Sequence, residues 1–272
     1  MGVEESVYAD ICGKAAGLRL PIEPDELATL ASDHDMGERE LAALLATLGY
    51  LEEKQRQATV GTLLRLSGLP KREPKTFENF DFSRLQGRDI GKLRSLSSLS
   101  DLYARRNIAF IGPGGIGKTH LAQAYGRECC LRCMKAYFIK ASDLKGRMRA
   151  ALDKHDVSRI VNTLVKPSCL IIDEVGRCSF GEDETNLFFH VVDRRYEKEG
   201  PNTLILTSNS VPSDWTDFFE GDDALLCALD RIFDKASVYM MKGTSFRGQG
   251  LSTYSVESVT QVNKRRGAQA TI

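Results

Sequence analysis

The chain has 272 residues, and its 37 acidic side chains balance its 37 basic ones. Hydrophobic residues make up 42% of the chain and charged residues 27%, which is typical of a globular protein and excludes a disordered one. The apolar runs are far shorter than the roughly 20 residues that cross a bilayer, and the acidic start lacks an apolar signal region. We therefore expect a cytoplasmic protein of one or two domains that does not associate with membranes.

The neutral total conceals an uneven distribution of charge. Residues 1–53 contain 3 basic and 12 acidic residues, a net charge of −9, whereas residues 54–106 contain 12 basic and 5 acidic residues, a net charge of +7. A basic segment after an acidic one favours an anionic partner for the basic part. A solvated helix face would explain the same charges equally well.

The first 70 residues are predicted to form a helical domain that interacts with DNA or a partner. The stretch PDELATLASD indicates a short helix with Pro24 near its start. Residues 37–70 have apolar residues at helical spacing and indicate one or two helices, broken near Gly61 and stopped by SGLP. Residues 71–106 are predicted to lead into the core, with a proline-punctuated linker at about Pro70–Asp81.

Short apolar runs alternate with helical patterns from Asn107 to about residue 250. The runs are IAFIG, AYFIK, CLIIDE, TLILTSN and VYMMKG. This alternation is typical of an α/β fold in which helices cover both faces of a parallel sheet. Residues 251–272 are predicted to be a polar tail.

A glycine-rich loop follows the first of these apolar runs and predicts a nucleotide site. It comprises Gly112, Pro113, Gly114, Gly115, Ile116, Gly117, Lys118 and Thr119, and it fits the pattern G-x-x-x-x-G-K-[ST]. Glycines let backbone N–H groups approach phosphate oxygens, and the following helix adds its positive end. Lys118 would reach the β- and γ-phosphates of ATP or ADP, and the Thr119 hydroxyl would bind Mg²⁺. An ordinary glycine turn is less well supported, because an apolar strand precedes the loop and a helix containing His120 follows it.

Polar side chains also follow two later apolar runs. CLIIDE ends in Asp173, which can hold the Mg²⁺ shell, and Glu174, which can polarise the attacking water. An acidic pair at a strand end could instead cap a helix, but four apolar residues directly before it favour the Mg²⁺ site. TLILTSN ends in Asn209, which we expect beside the γ-phosphate at the carboxyl edge of the sheet.

In this order, the motifs resemble those of the AAA+ ATPases. The resemblance extends from about Thr76 to Arg247 through KTFENFDFS, GPGGIGKTHLA, ASDL, LIIDEVG, NLFFHVVDRRYE, TSN, ALDRI and SFR. It is closest to the IstB-like transposition helpers and to their relatives, the DnaC-like helicase loaders. It implies an AAA+ P-loop core with a small N-terminal helical domain and no full C-terminal lid, since little chain follows VYMMKG.

The resemblance also implies roles for single residues. It identifies Asn209 as the γ-phosphate sensor and Arg231 as an arginine finger that enters the site of a neighbouring subunit. The residues alone favour another role for Arg231, a salt bridge at a helix end with Asp230 or Asp234. Arg247 is implied as a second sensor that contacts the nucleotide.

DNA binding by an ATP-assembled homo-oligomer is a further implication of the resemblance. Two basic clusters could contact the backbone of duplex DNA without sequence preference, because they lack interleaved aromatic residues for base stacking. The first comprises Lys140, Lys145, Arg147 and Arg149, and the second includes Lys54 and Arg56.

The function predicted from the sequence is ATP hydrolysis coupled to DNA binding. The oligomer would select target sites and stimulate a partner transposase. A loader of a replicative helicase is the main alternative, and a nucleotide-gated adaptor that binds protein and no DNA is another.

Overall fold

The computed structural model describes residues 3–245. The N-terminal part of the chain forms three helices, α1 (Val3–Gly17), α2 (Pro24–Asp33) and α3 (Glu38–Leu66). Three short elements follow, β1 (Leu85–Gln86), α4 (Ile90–Ser95) and α5 (Ser100–Tyr103). Strands and helices then alternate in the order β2 (Asn107–Ile111), α6 (Lys118–Leu131), β3 (Ala136–Lys140), α7 (Ala141–Asp153), α8 (Val157–Val165), β4 (Cys169–Val175), α9 (Glu182–Glu197), β5 (Thr203–Ser208), α10 (Asp222–Asp234), β6 (Ala236–Met240) and β7 (Lys242–Gly243).

Five of the strands form one parallel sheet in the order β3-β4-β5-β2-β6. All residues of β5 are buried, as expected for a strand that is covered on both faces. Because β5 lies between β4 and β2, the carboxyl ends of these three strands are neighbours. The predicted α/β fold with a parallel sheet between helices is confirmed, and it brings the three polar motifs to one edge of the sheet.

Successive strand residues point to opposite faces of the sheet and build two cores. On one face, Leu170 and Leu206 pack with residues of α7, α8, α9 and α10. On the other face, Ile171 and Ile205 pack with α6 and with residues between Phe80 and Leu102. The helix that follows the glycine loop is therefore held rigidly against the sheet.

The segment predicted as a linker is fixed to this second core. It contains no helix or strand before Leu85 apart from a 3₁₀ turn at Phe82–Arg84, in keeping with its prolines. Phe80 and Phe82 are nevertheless buried, with ring centroids 4.7 Å apart. The segment thus ties the N-terminal helices to the core, while the exact domain boundaries stay predictions.

α3 is a single helix, so the break predicted near Gly61 is wrong. A glycine inside a helix costs only about 1 kcal/mol, and packing at the two ends of α3 outweighs that cost. Leu41 is buried with α1 and α2, and Leu63 and Leu64 pack against the core of the sheet domain. Gly68 then turns the chain with φ +72°, where a Cβ would lie 2.6 Å from the Phe138 carbonyl oxygen.

The N-terminal region is helical, as predicted. The helix predicted from Pro24 is α2, and Ile11, Leu27 and Ala31 form a small core with α3. α1 was not identified from the sequence, although Tyr8, Ile11 and Cys12 lie on the face that packs into this small core. Among the helices of residues 3–245, none is long and apolar enough to span a membrane. Arg247 and the tail predicted at 251–272 lie outside the described residues.

Candidate nucleotide site

The glycine loop connects β2 to α6, and its conformation requires glycine at several positions. Gly115 and Gly117 have φ values of +81° and +94°, a region that other residues rarely adopt. A Cβ on Gly112 would lie 2.3 Å from the carbonyl oxygen of Met241. Ile116 is buried in the core formed with β2 and α6 and thereby attaches the loop to that core. The loop therefore turns tightly over the end of β2 and opens its backbone towards the cleft.

Lys118 is the first residue of α6 and is only 7% exposed. Its Nζ donates hydrogen bonds to the carbonyl oxygens of Gly112 and Pro113, both at 2.7 Å. It also donates to Oδ1 of Asn209 at 2.8 Å. Two residues predicted to contact the γ-phosphate thus lie together, although 91 positions separate them in the chain.

The two residues predicted to hold Mg²⁺ are also adjacent. The Thr119 hydroxyl donates a hydrogen bond to Oδ1 of Asp173 at 2.7 Å. Asp173 is 1% exposed, and burial raises the pKa of its carboxyl above the ordinary value, although the Thr207 and Thr119 hydroxyls act in the opposite direction. One hydroxyl and one carboxylate suit Mg²⁺, which takes its remaining ligands from phosphates and water. No cluster of three or more His, Cys, Asp or Glu that could hold an ion by itself occurs within residues 3–245.

Glu174 lies next to Asp173 in an unusual backbone conformation. Its φ is +63°, in the left-handed region, and its backbone N–H donates to the Thr207 hydroxyl at 2.9 Å. Its carboxylate is 2.8 Å from the guanidinium of Arg177 and 3.9 Å from Nζ of Lys140. The carboxylate predicted to polarise water therefore lies between two cations at the edge of the cleft.

Lys118, Thr119, Glu174 and Asn209, but not Asp173, line a cleft of about 510 Å³ that is large enough for a nucleotide. His120 is part of it, and its Nε2 lies 2.9 Å from the carbonyl oxygen of Thr76, so this nitrogen donates. Burial lowers the pKa of His120. Seven further lining residues were not assigned to the nucleotide site from the sequence, namely Lys75, Asn79, Phe80, Gln123, Arg177, Thr207 and Ser208.

The first three of these residues belong to the stretch KTFENFDFS, which carries part of the family resemblance. Phe80 packs edge-on against the His120 ring, with centroids 5.0 Å apart. The linker therefore forms one wall of the cleft. An aromatic wall of this kind is suited to a nucleoside base.

The comparison with known proteins agrees with this geometry. The family model for the IstB-like ATP binding protein matches residues 19–253. The chain belongs to this family. A putative ATP-binding protein of insertion sequence IS5376 from Geobacillus stearothermophilus is 36% identical over 234 residues, which is 85% of this chain and 90% of the relative. That of IS21 from Pseudomonas aeruginosa is 35% identical over 64% of each chain.

Solved structures show the same fold for the IstB-like protein. A DnaC helicase loader superposes with a TM-score of 0.51 and 19% identity, covering 64% of this chain and 100% of the loader. AMPPCP-bound DnaA from Aquifex aeolicus gives a TM-score of 0.50 and 26% identity, covering 62% of this chain and 51% of DnaA. The fold is therefore that of the AAA+ P-loop proteins.

Arg231 lies on α10, away from the nucleotide cleft of its own IstB-like chain. Its Nε is 2.9 Å from the carboxylate of Asp193, and its guanidinium lies 5.0 Å from the centre of the Phe189 ring. The alternative salt bridge with Asp230 or Asp234 is not the pair that forms. Arg231 lines a separate cavity of about 250 Å³ and is not among the residues that line the nucleotide cleft.

The residues predicted to contact DNA occupy two surfaces. On the first, Lys145 donates to the Ser179 carbonyl oxygen, Arg147 donates to the Tyr137 hydroxyl, and Arg149 is exposed on α7. Lys140, at the end of β3, faces Glu174. On the second, Lys54 lies 5.5 Å from the centre of the Tyr50 ring, and Arg56 pairs with Glu53 at 2.7 Å. The charge on α3 is thus partly neutralised within the helix, and Lys145 and Arg149 of α7 share a cavity with the carboxylates of α9.

Proposed function

We propose that this IstB-like protein is a Mg²⁺-dependent ATPase that assembles as a homo-oligomer on duplex DNA and assists a partner transposase. The proposal rests above all on the convergence of the side chains that hydrolysis needs. Lys118 bonds Asn209, Thr119 bonds Asp173, and Glu174 lines the same cleft. Its relatives are ATP-binding proteins of insertion sequences, which supports a role in transposition.

Each residue of the cleft has a distinct chemical task in this proposal. Lys118 provides a positive charge for the β- and γ-phosphates, and its three oxygen partners already hold that charge in place. Thr119 and Asp173 would hold Mg²⁺. When bound, Mg²⁺ supplies charge neutralisation for the phosphates. Glu174 would orient a water molecule and accept its proton, which requires a carboxylate less tightly engaged by Arg177.

An arginine that stabilises the transferred phosphoryl group completes sites of this kind and can raise the rate by about 10³–10⁵-fold. The cleft of one chain does not contain Arg231, so a complete site needs a neighbour. Head-to-tail assembly would place Arg231 of one subunit at the cleft of the next. Hydrolysis would therefore depend on assembly, and ATP would favour the assembled form.

Duplex DNA is the proposed surface for this assembly. Arg147 and Arg149 on α7, with Lys145 beside them, present cations that suit phosphate contacts. Such contacts give affinity without sequence preference. Loss of ATP after hydrolysis would release the assembly.

The experiment that tests the function measures DNA binding with ATP, with ADP and without nucleotide, followed by strand transfer with a partner transposase. We expect binding to 100-base-pair duplexes with ATP and little with ADP, together with stimulated strand transfer. An affinity for DNA that is the same with ATP, with ADP and without nucleotide would contradict the proposal. Stimulation of helicase loading without any effect on strand transfer would favour the loader instead.

A further inference from the structure

β4 and β5 lose their regular pairing at the two acidic residues. Ile172 pairs with Leu206 and Val175 pairs with Ser208, so Asp173 and Glu174 together lie opposite Thr207 alone. This is a β-bulge, in which one strand has an extra residue that the ladder leaves unpaired. The bulge coincides with the left-handed φ of +63° at Glu174.

The Thr207 side chain bridges the interruption. Its hydroxyl accepts a hydrogen bond from the Glu174 N–H at 2.9 Å and donates one to Oδ1 of Asp173 at 2.5 Å. A hydroxyl has one donor and two acceptor sites, so a single group can satisfy both neighbours. The site is buried, with Thr207 and Asp173 each 1% exposed.

The bulge needs such support because its conformation is unfavourable by itself. A non-glycine residue in a left-handed conformation is strained and persists only where its surroundings enforce it. A buried N–H without a partner adds a further cost. The Thr207 hydroxyl removes the second cost and thereby helps to hold Glu174 in its turned position.

We propose that Thr207 is a positioning residue that fixes the carboxylates of Asp173 and Glu174 relative to each other through its one hydroxyl. This inference rests on the proposed ATPase function. Thr119 and Thr207 both bond Oδ1 of Asp173. The Thr119 hydroxyl can therefore turn to a metal ion while Thr207 still orients the carboxylate. The methyl group of Thr207 has no part in this role.

The test compares Thr207→Ser with Thr207→Ala, which differ from each other only in the hydroxyl. Thr203→Val is the matched control, because Thr203 is a fully buried threonine of the same strand whose hydroxyl donates to the distant Arg106 carbonyl oxygen. Three quantities are measured for each variant. They are the rate of ATP hydrolysis, the affinity for a fluorescent ATP analogue with and without Mg²⁺, and the melting temperature.

Thr207→Ala is expected to lower kcat and the Mg²⁺-dependent gain in nucleotide affinity by about 10–100-fold, as for other residues that orient metal ligands. Affinity without Mg²⁺ should stay unchanged. Thr207→Ser should keep most of both properties. Thr203→Val should lower the melting temperature without changing kcat or the Mg²⁺-dependent gain in nucleotide affinity.

The proposal would be overturned if Thr207→Ser lost as much kcat and as much Mg²⁺-dependent gain in nucleotide affinity as Thr207→Ala. It would also be overturned if Thr203→Val lost as much of the Mg²⁺-dependent gain as Thr207→Ala. A wild-type protein that binds nucleotide without hydrolysing it would contradict the proposed function instead. In that case the Mg²⁺-dependent affinity still decides the role of Thr207. If Thr207→Ala does not fold, Thr207→Val replaces it, because valine keeps the branched shape without the hydroxyl.

Discussion

The guanidinium of Arg177 lies 2.8 Å from the carboxylate of Glu174 and engages the group that is proposed to accept the proton from water. The side chain of Arg177 is 63% exposed, so this ion pair contributes only about 0–1 kcal/mol to stability. Its effect on chemistry is larger, because a carboxylate that bonds Arg177 is held away from a water molecule. The pair therefore restrains Glu174 in the nucleotide-free chain.

Arg177→Ala is expected to raise the rate of ATP hydrolysis in the absence of DNA while leaving the melting temperature within a few degrees. Arg177→Lys, which can still pair with Glu174, is the control and should behave like the wild type. A lower rate in Arg177→Ala would show that Arg177 assists the reaction directly and would contradict a restraining role.

Glu174→Gln is expected to bind ATP with wild-type affinity and to lose hydrolysis. The amide keeps the shape of the side chain but cannot accept a proton. Because ATP favours the assembled form, this variant should accumulate on duplex DNA and dissociate slowly after dilution. Hydrolysis at the wild-type rate would show that another group activates the water.

Asp173→Asn is expected to stabilise the nucleotide-free protein at neutral pH and to abolish Mg²⁺-dependent nucleotide binding. Burial raises the pKa of the Asp173 carboxyl in the folded chain, so the neutral form is favoured there. In the wild type, the contribution of the Asp173 carboxyl to stability is complete below its unfolded pKa of about 4 and is lost as the pH rises through its folded pKa. The asparagine oxygen can still accept from the Thr119 and Thr207 hydroxyls.

The measurement is the melting temperature of both proteins from pH 4 to pH 8 without Mg²⁺. The melting temperature of Asp173→Asn should exceed that of the wild type by an amount that grows as the pH rises above about 4 and then stays constant. A difference in melting temperature that already has its full size at pH 4, or no difference at any pH, would contradict this account of Asp173.

Much of the nucleotide site could be predicted because it is encoded locally. The loop from Gly112 to Thr119 needs glycines at fixed spacing, and the acidic pair directly follows a buried strand. Thr207 and Arg177 were missed because their importance depends on a bulge and on a packed strand pair, which leave no pattern in the sequence. The break at Gly61 was predicted wrongly because a local rule ignores the packing at both ends of α3.

DNA affinity is expected to fall steeply with salt and to depend little on sequence. Neutralising 6–10 phosphates would reduce affinity by about 10³–10⁵-fold between 50 and 200 mM salt. Arg147→Glu and Arg149→Glu should each weaken binding to all duplexes alike and lower the salt slope by about 1 or more. Arg39→Glu is the control, since Arg39 is an exposed arginine of the acidic N-terminal segment. If Arg39→Glu lost as much DNA affinity as the α7 variants, the result would argue against a DNA surface on α7.

Arg231→Ala should bind ATP normally and lose hydrolysis, because a finger stabilises the transition state in a neighbour and adds nothing to its own pocket. Lys118→Ala should instead lose ATP binding by about 10–100-fold, because its ammonium is the cation at the phosphate site. Neither protein alone should hydrolyse ATP. Mixtures of the two should recover part of the activity, since a junction with an intact Lys118 cleft and an intact Arg231 is complete.

Asp193→Ala separates this role from a purely structural one. It breaks the same 2.9 Å ion pair but keeps the guanidinium on α10. If Arg231 matters only through that pair, Asp193→Ala and Arg231→Ala should lose activity equally. If Arg231 acts in the neighbouring site, Asp193→Ala keeps hydrolysis by itself, whereas Arg231→Ala loses it. No recovery at any ratio of Arg231→Ala and Lys118→Ala, in mixtures shown to co-assemble, would assign Arg231 to structure alone.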